Sequence, residues 1–140
     1  MPITKLLLKG VIPAKKNMYR RGKGNSFFLP RCVAANLRSL ELQAMIQWRP
    51  RPAVEHPDIT MRFLLTSRRK DPNNLQQTIL DVLQKAHVIV NDNVARCNGR
   101  LVIEPSIVDP QGEESVEVTI GPRTWFEQGA EVLRKRDKNR

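Results

Sequence analysis

Two stretches of this chain carry a helical period. From Leu75 onward, Leu75, Ile79, Val82, Leu83 and Ala86 fall at the i, i+4, i+7, i+8, i+11 spacing of one buried face. At about 100° per residue, Asn74, Gln77 and Asp81 then lie within roughly 60° of one another on the opposite side. Pro72 resists helix upstream and Asn73 or Asn74 is a suitable N-cap, so this helix is expected to start beside Asp71 and to stop near His87. The other helical stretch, Val33 to Trp48, places Leu37, Leu40, Ala44 and Trp48 on one stripe and Arg38, Glu41 and Gln43 largely outside. Trp48 reads as core.

Extended segments fill the intervals. Ile3 to Ile12 reads as a strand ended by Pro13, and Asp58 to Leu65 as a strand in which Ile59, Met61 and Phe63 alternate with Thr60, Arg62 and Leu64. The β-branched run Val88-Ile89-Val90 delivers Asp92 to a polar turn. Val94 to Ile103 reads as a strand interrupted by Asn98-Gly99, and Val116, Val118 and Ile120 mark a final one. Ala14 to Pro30 and Pro105 to Glu114 read as loops, and Arg49 to Pro57 as a Pro-broken connector. Thr124-Trp125-Phe126-Glu127 is a capping-box start to a last helix that ends in a basic tail. The expectation is one domain over residues 1–140, with a basic loop at 14–30 and a basic tail at 132–140. Its class is α/β in the broad sense (α+β): one central mixed sheet with packed helices in two layers.

Charge narrows the partners. The formal net charge is +10, and the first forty residues hold nine Lys or Arg and no Asp or Glu. That asymmetry favours a polyanion, nucleic acid before membrane, because no basic amphipathic helix with an aromatic face is evident. Leu6-Leu7-Leu8 is too short for a signal or membrane-spanning run, and a cytoplasmic protein is expected. Cys32 and Cys97 match neither zinc spacing nor a disulfide framework, His56 and His87 have no matching partners, and both cysteines read as reduced thiols, with a single bridge between them as the alternative. In the 14–30 loop, Lys15, Lys16, Arg20, Arg21 and Lys23 are interleaved with Tyr19, Phe27 and Phe28. The pattern suits phosphate tracking with occasional base or sugar stacking; a solvated basic loop with one aromatic pair returning to the core would read the same way.

Candidate chemistry lies between Ser67 and Asn93. Between Ile59 and Ile103 the only acidic residues are Asp71, Asp81 and Asp92. If the turn after Val90 folds back along the helix, Asp71 and Asp92 converge. Two carboxylates among carboxamides, beside Arg68-Arg69-Lys70, suit a hard divalent cation that must meet a phosphate. A solvated helix face between two Asx-rich turns has the same spacing.

The order of these residues resembles the RusA family of Holliday-junction resolvases: a basic segment, Asp-x-Asp-Asn-Leu-x-Lys opening a helix, an Asp within it, then Gly-Val-Ile-x-Asp-Asp. Here it reads Arg69-Lys70-Asp71-Pro72-Asn73-Asn74-Leu75-Gln76-Gln77, Asp81-Val82-Leu83, and His87-Val88-Ile89-Val90-Asn91-Asp92. Gly10-Val11-Ile12-Pro13-Ala14-Lys15-Lys16-Asn17 is similar to the family's first strand and basic loop, so the resemblance spans roughly Leu6 to Ile120. It implies a homodimeric, metal-dependent endonuclease that cuts branched DNA. Asp71, Asn73 and Asp92 would hold Mg²⁺, with Mn²⁺ as an alternative. Asn74, Gln77 and Asp81 would complete the catalytic set, and Lys15, Lys16, Arg20, Arg21, Lys23, Arg68, Arg69 and Lys70 would contact DNA. Three departures from the pattern matter for the chemistry: Asn73 stands for an Asp ligand, Gln77 for an active-site Lys, and Asn91 for the first of the paired Asp residues. Asn remains a neutral oxygen donor, but a negative charge opposite the cation is lost, and Gln77 offers no cation. Two further readings stay open: a junction binder that does not cut, and a generic basic nucleic-acid-binding domain.

Overall fold

Alternation along the strand Asp58–Leu65 sets the layering: Ile59, Met61, Phe63 and Leu65 are buried, while Thr60, Arg62 and Leu64 are not. The computed structural model describes residues 3–14, 19–22, 24, 27–90 and 99–121. In chain order the elements are β1 (Thr4–Lys9), β2 (Arg20–Arg21), β3 (Phe27–Phe28), α1 (Arg31–Trp48), β4 (Asp58–Leu65), α2 (Pro72–Lys85), β5 (Leu101–Ile103), β6 (Ile107–Val108) and β7 (Ser115–Gly121).

The main sheet is mixed, in the order β1-β7-β4, with β5 and β6 both on the far side of β4. β7 runs antiparallel to β1 and β4; β5 pairs parallel with the first half of β4 and β6 with the second. Register places Leu8, Val116 and Phe63 in one row and Leu6, Val118 and Met61 in the next, so the inward residues of three strands form one apolar face. Leu40, Ala44 and Trp48 of α1 and Leu75, Ile79, Val82 and Leu83 of α2 join them in a single core, which places both helices on that face. The described residues form an α+β fold, one mixed sheet with two helices packed against it, the class that the sequence pattern predicts. At roughly 1.5–3 kcal/mol for each large side chain fully buried, this core is the main source of stability. Trp48 is 1% exposed, and its indole N–H donates to the Pro52 carbonyl at 3.1 Å.

Several boundaries differ from the sequence reading. β1 stops at Lys9 rather than Ile12, because Gly10 adopts φ +130 and turns the chain while its N–H donates to the Glu114 carbonyl at 2.8 Å. The 14–30 segment is not plain loop: β2 and β3 pair as a short antiparallel ladder. α1 begins at Arg31 rather than Val33. Glu41 and Gln43 are half-buried rather than outside, with only 15% of the Glu41 side chain exposed. The 105–114 segment contains β6, which extends the sheet edge. Val88 and Ile89 are buried, and the run pairs with Val54 of the connector through Val54 N–H to Val88 O at 2.9 Å and Val90 N–H to Val54 O at 3.0 Å. The expectations for Val94 to Asn98 and for the last helix and basic tail fall outside the described residues.

One edge of the sheet is closed by side chains. Gln47 Nε2 donates to the Leu7 carbonyl at 2.8 Å and its Oε1 accepts from Leu7 N–H at 2.9 Å; Gln43 does the same for Lys9 at 2.7 and 2.8 Å. Two glutamines one helical turn apart thus replace a neighbouring strand along β1.

Candidate functional site

A short turn, Thr66 to Asp71, joins the end of β4 to the start of α2. Within it the Arg69 N–H donates to Ser67 Oγ at 3.1 Å, and Arg68 and Arg69 are exposed. Asp71, not Asn73 or Asn74, is the N-cap. It sits in extended conformation, as a residue before proline must, with Pro72 in the first turn; its Oδ1 accepts from Asn73 N–H at 3.0 Å and its carbonyl from Asn74 N–H at 2.9 Å. The capping role leaves the rest of an exposed carboxylate facing solvent beside two exposed arginines. Asn73 is also exposed, and Asn74 is half-buried.

Lys70 points elsewhere. Its Nζ donates to Glu114 Oε1 and Oε2 at 2.7 and 2.9 Å and to the Ile12 carbonyl at 3.3 Å. Glu114, whose side chain is 5% exposed, also accepts the Ile12 N–H at 3.0 Å through Oε2. Further into α2, the fully buried Thr78 hydroxyl donates to the Pro13 carbonyl at 2.6 Å. The exit of β1, from which the basic segment departs, is therefore bolted to the turn that carries Asp71. Sequence reasoning misses both Glu114 and Thr78. Glu114 carries a signal: it continues the inward alternation of Val116, Val118 and Ile120, where a carboxylate must find partners.

The polar face of α2 does not converge on Asp71. With a rise of about 1.5 Å per residue, Asp81 lies about 15 Å along the helix from Asp71, too far to share a cation with it. Gln77 Nε2 donates to Asp81 Oδ1 at 3.2 Å. Asp81 faces a cleft of about 140 Å³ between the helices, lined by Tyr19, Leu37, Glu41, Thr78, Asp81 and Lys85 among others. Glu41, which the sequence reading places on the outside, has its carboxylate 3.7 Å from Arg38 and 4.0 Å from Lys85.

Asp92, Asn91, Lys15, Lys16, Lys23 and Cys97 lie outside the described residues, so the convergence of Asp71 with Asp92 does too. Arg20 and Arg21 form β2, and Cys32 is an exposed free thiol. Among the described residues no three His, Cys, Asp or Glu side chains group as metal ligands, and no helix is long and apolar enough to cross a membrane. The described donors at the start of α2, the Asp71 carboxylate and the Asn73 carboxamide, are oxygens, which suit a hard cation rather than a thiophilic one. No family model matches the chain, and a search of curated proteins returns no match.

Proposed function

We propose that this chain is a metal-dependent endonuclease of the RusA type, acting in the cytoplasm as a homodimer on Holliday junctions or other branched DNA during recombination and repair. The observation that carries the reading is the setting of Asp71: an exposed carboxylate held by its capping bond at the start of α2, in the turn that follows the central strand and carries exposed Arg68 and Arg69. A helix start also favours an approaching phosphate, because its N–H groups and dipole are positive there. A second observation supports the family resemblance. The pattern Gly-Val-Ile has its glycine where this chain has His87, and His87 adopts φ +59, a conformation in which glycine is the usual residue.

In this reading Asp71, Asn73 and Asp92 would hold Mg²⁺ or Mn²⁺. The cation, when bound, supplies an activated water and charge stabilisation at the phosphate. Arg68 and Arg69 draw the DNA backbone to the turn, while Lys70, neutralised by Glu114, fixes that turn against the root of the basic segment. Asn74 supports the start of α2 from its half-buried position. Two symmetric cuts in a four-way junction require two sites related by a two-fold axis, which the dimer provides.

A junction-binding role without cutting is the second reading, and it rests on Asn73 and Gln77. Asn73 brings no charge, and the Gln77 amide is turned toward Asp81 instead of supplying a cation. Incubation with a synthetic four-way junction and with linear duplex of the same sequence, with and without Mg²⁺ or Mn²⁺, tests both. Preferential junction binding with metal-dependent nicking supports the nuclease, preferential binding alone supports the binder, and equal affinity for the two DNAs defeats the branched-DNA reading.

A further inference from the structure

The β2–β3 ladder presents its aromatic residues to solvent. Phe27 is 68% exposed and Phe28 51%, whereas Trp48 and Phe63 in the core are at 1% and 0%. Successive residues of a strand point to opposite faces, so Phe27 and Phe28 put one ring on each side of the ribbon. Laying either face on the core would bury one ring and leave the other out, and here both are out. A padding role is therefore a poor fit to the geometry. The register sets Arg20 across from Phe28 and Arg21 across from Phe27, so the sequence pairs each aromatic position with a basic one. No acidic residue occurs before Glu41, so nothing in the first forty residues opposes an anionic partner. The chain is held in place before and after this segment. Ile12 and Pro13 are held by Glu114 and Thr78 on one side, and α1 starts at Arg31 on the other.

We propose that the β2–β3 ribbon is a base-stacking arm, in which Phe27 and Phe28 take up unstacked nucleobases at a branch point while the neighbouring basic residues meet the flanking phosphates. The inference rests on the nucleic-acid reading above and assigns it a specific contact. Stacking on an aromatic ring requires a base freed from its duplex neighbours, so the arm selects branched or single-stranded DNA over continuous duplex. It acts independently of whether the Asp71 turn cuts.

The test compares the parent with the double variants Phe27→Ala/Phe28→Ala and Phe27→Tyr/Phe28→Tyr, using fluorescence anisotropy on a synthetic four-way junction, a single strand and a linear duplex over a range of salt. Loss of stacking by Ala substitution should weaken junction and single-strand binding by about tenfold or more at fixed salt. Duplex affinity and the salt slope should stay unchanged, since phosphate contacts remain, and the Tyr pair should bind like the parent. Equal junction affinity for the parent and the Ala pair overturns the arm while leaving the nucleic-acid reading intact. A parent that binds none of the three DNAs overturns both. Conversion of a dimeric parent to monomer by the Ala pair, read by sedimentation, overturns the arm in favour of an interface between copies of the chain.

Discussion

Lys70 and Glu114, forty-four positions apart, form an ion pair at 2.7 Å that ties the turn before α2 to the start of β7. The same carboxylate takes the Ile12 N–H, so three chain segments meet at one buried side chain. Glu114→Ala removes both carboxylate contacts of the Lys70 ammonium, leaving it the Ile12 carbonyl, and strands the buried Ile12 donor. The expected loss is about 1–3 kcal/mol of folding stability, the usual consequence of leaving buried polar groups unpaired. Urea denaturation of Glu114→Ala, Lys70→Met and the double variant checks it: the two effects should be non-additive, and additive effects would mean that the pair is not coupled.

Thr78 offers a nearly isosteric probe of the same junction. Thr78→Val keeps the volume but leaves the Pro13 carbonyl without its buried donor, and should cost about 1–3 kcal/mol. Calorimetry on the variant should show a lowered melting temperature with an unchanged far-ultraviolet spectrum. A melting temperature equal to the parent's would show that the hydroxyl contributes nothing.

The glutamine pair on α1 makes a prediction about assembly. Gln43→Ala/Gln47→Ala removes the groups that satisfy Leu7 and Lys9 and opens the β1 edge to strand addition. At about 0.5–1.5 kcal/mol per exposed hydrogen bond the stability loss is modest. The larger effect is concentration-dependent self-association by sedimentation velocity, beyond any shown by the parent. An unaltered distribution would mean that the edge is protected by something else.

His87 terminates α2 in a left-handed conformation. The Val88 N–H donates to the Leu83 carbonyl at 2.9 Å and the His87 N–H to the Gln84 carbonyl at 3.1 Å, the double bond pattern that usually has glycine at this position. His87→Gly is therefore expected to stabilise the fold by about 0.5–1 kcal/mol. Chemical denaturation reads it directly, and a destabilised variant would indicate that the imidazole makes a contact worth more than the strain.

Much of this fold is legible in the sequence because period and burial agree. Ile59, Met61 and Phe63 alternate as a half-buried strand must, and the α2 stripe from Leu75 to Ala86 is buried throughout. The short elements are not legible. β2, β3 and β6 have two residues each, too few for alternation to register, and they exist because neighbouring backbone is there to pair with. At the site, Asp71 stands out as an isolated acid before a proline, yet the capping preference favours Asn and Asp equally and so does not single it out from Asn73 or Asn74. Composition alone groups Lys70 with Arg68 and Arg69. Its partner Glu114 is distant in sequence, and only the sheet brings the two together.

Asp71 has two roles that substitution can separate. Asn is as good an N-cap as Asp, so Asp71→Asn should change stability by less than about 0.5 kcal/mol, whereas Asp71→Ala should cost about 1 kcal/mol. Thermal melts of the two variants check the structural role, and equal melting temperatures for Asn and Ala would contradict it. Asp71→Asn removes the charge and keeps the cap, so any loss in that variant that is not a loss of folding belongs to the site's chemistry.

The most direct measurement is metal-dependent cleavage of a four-way junction by the parent, by Asp71→Asn and by Asn73→Asp/Gln77→Lys, at protein concentrations where all three bind the junction. The double variant is expected to cut faster than the parent in Mg²⁺ or Mn²⁺, because it restores a charged ligand and a cation, and Asp71→Asn to bind without cutting. No cutting by the parent or by the double variant in either metal, with junction binding intact, would contradict the nuclease and leave Asp71 as a capping residue on a DNA-binding fold.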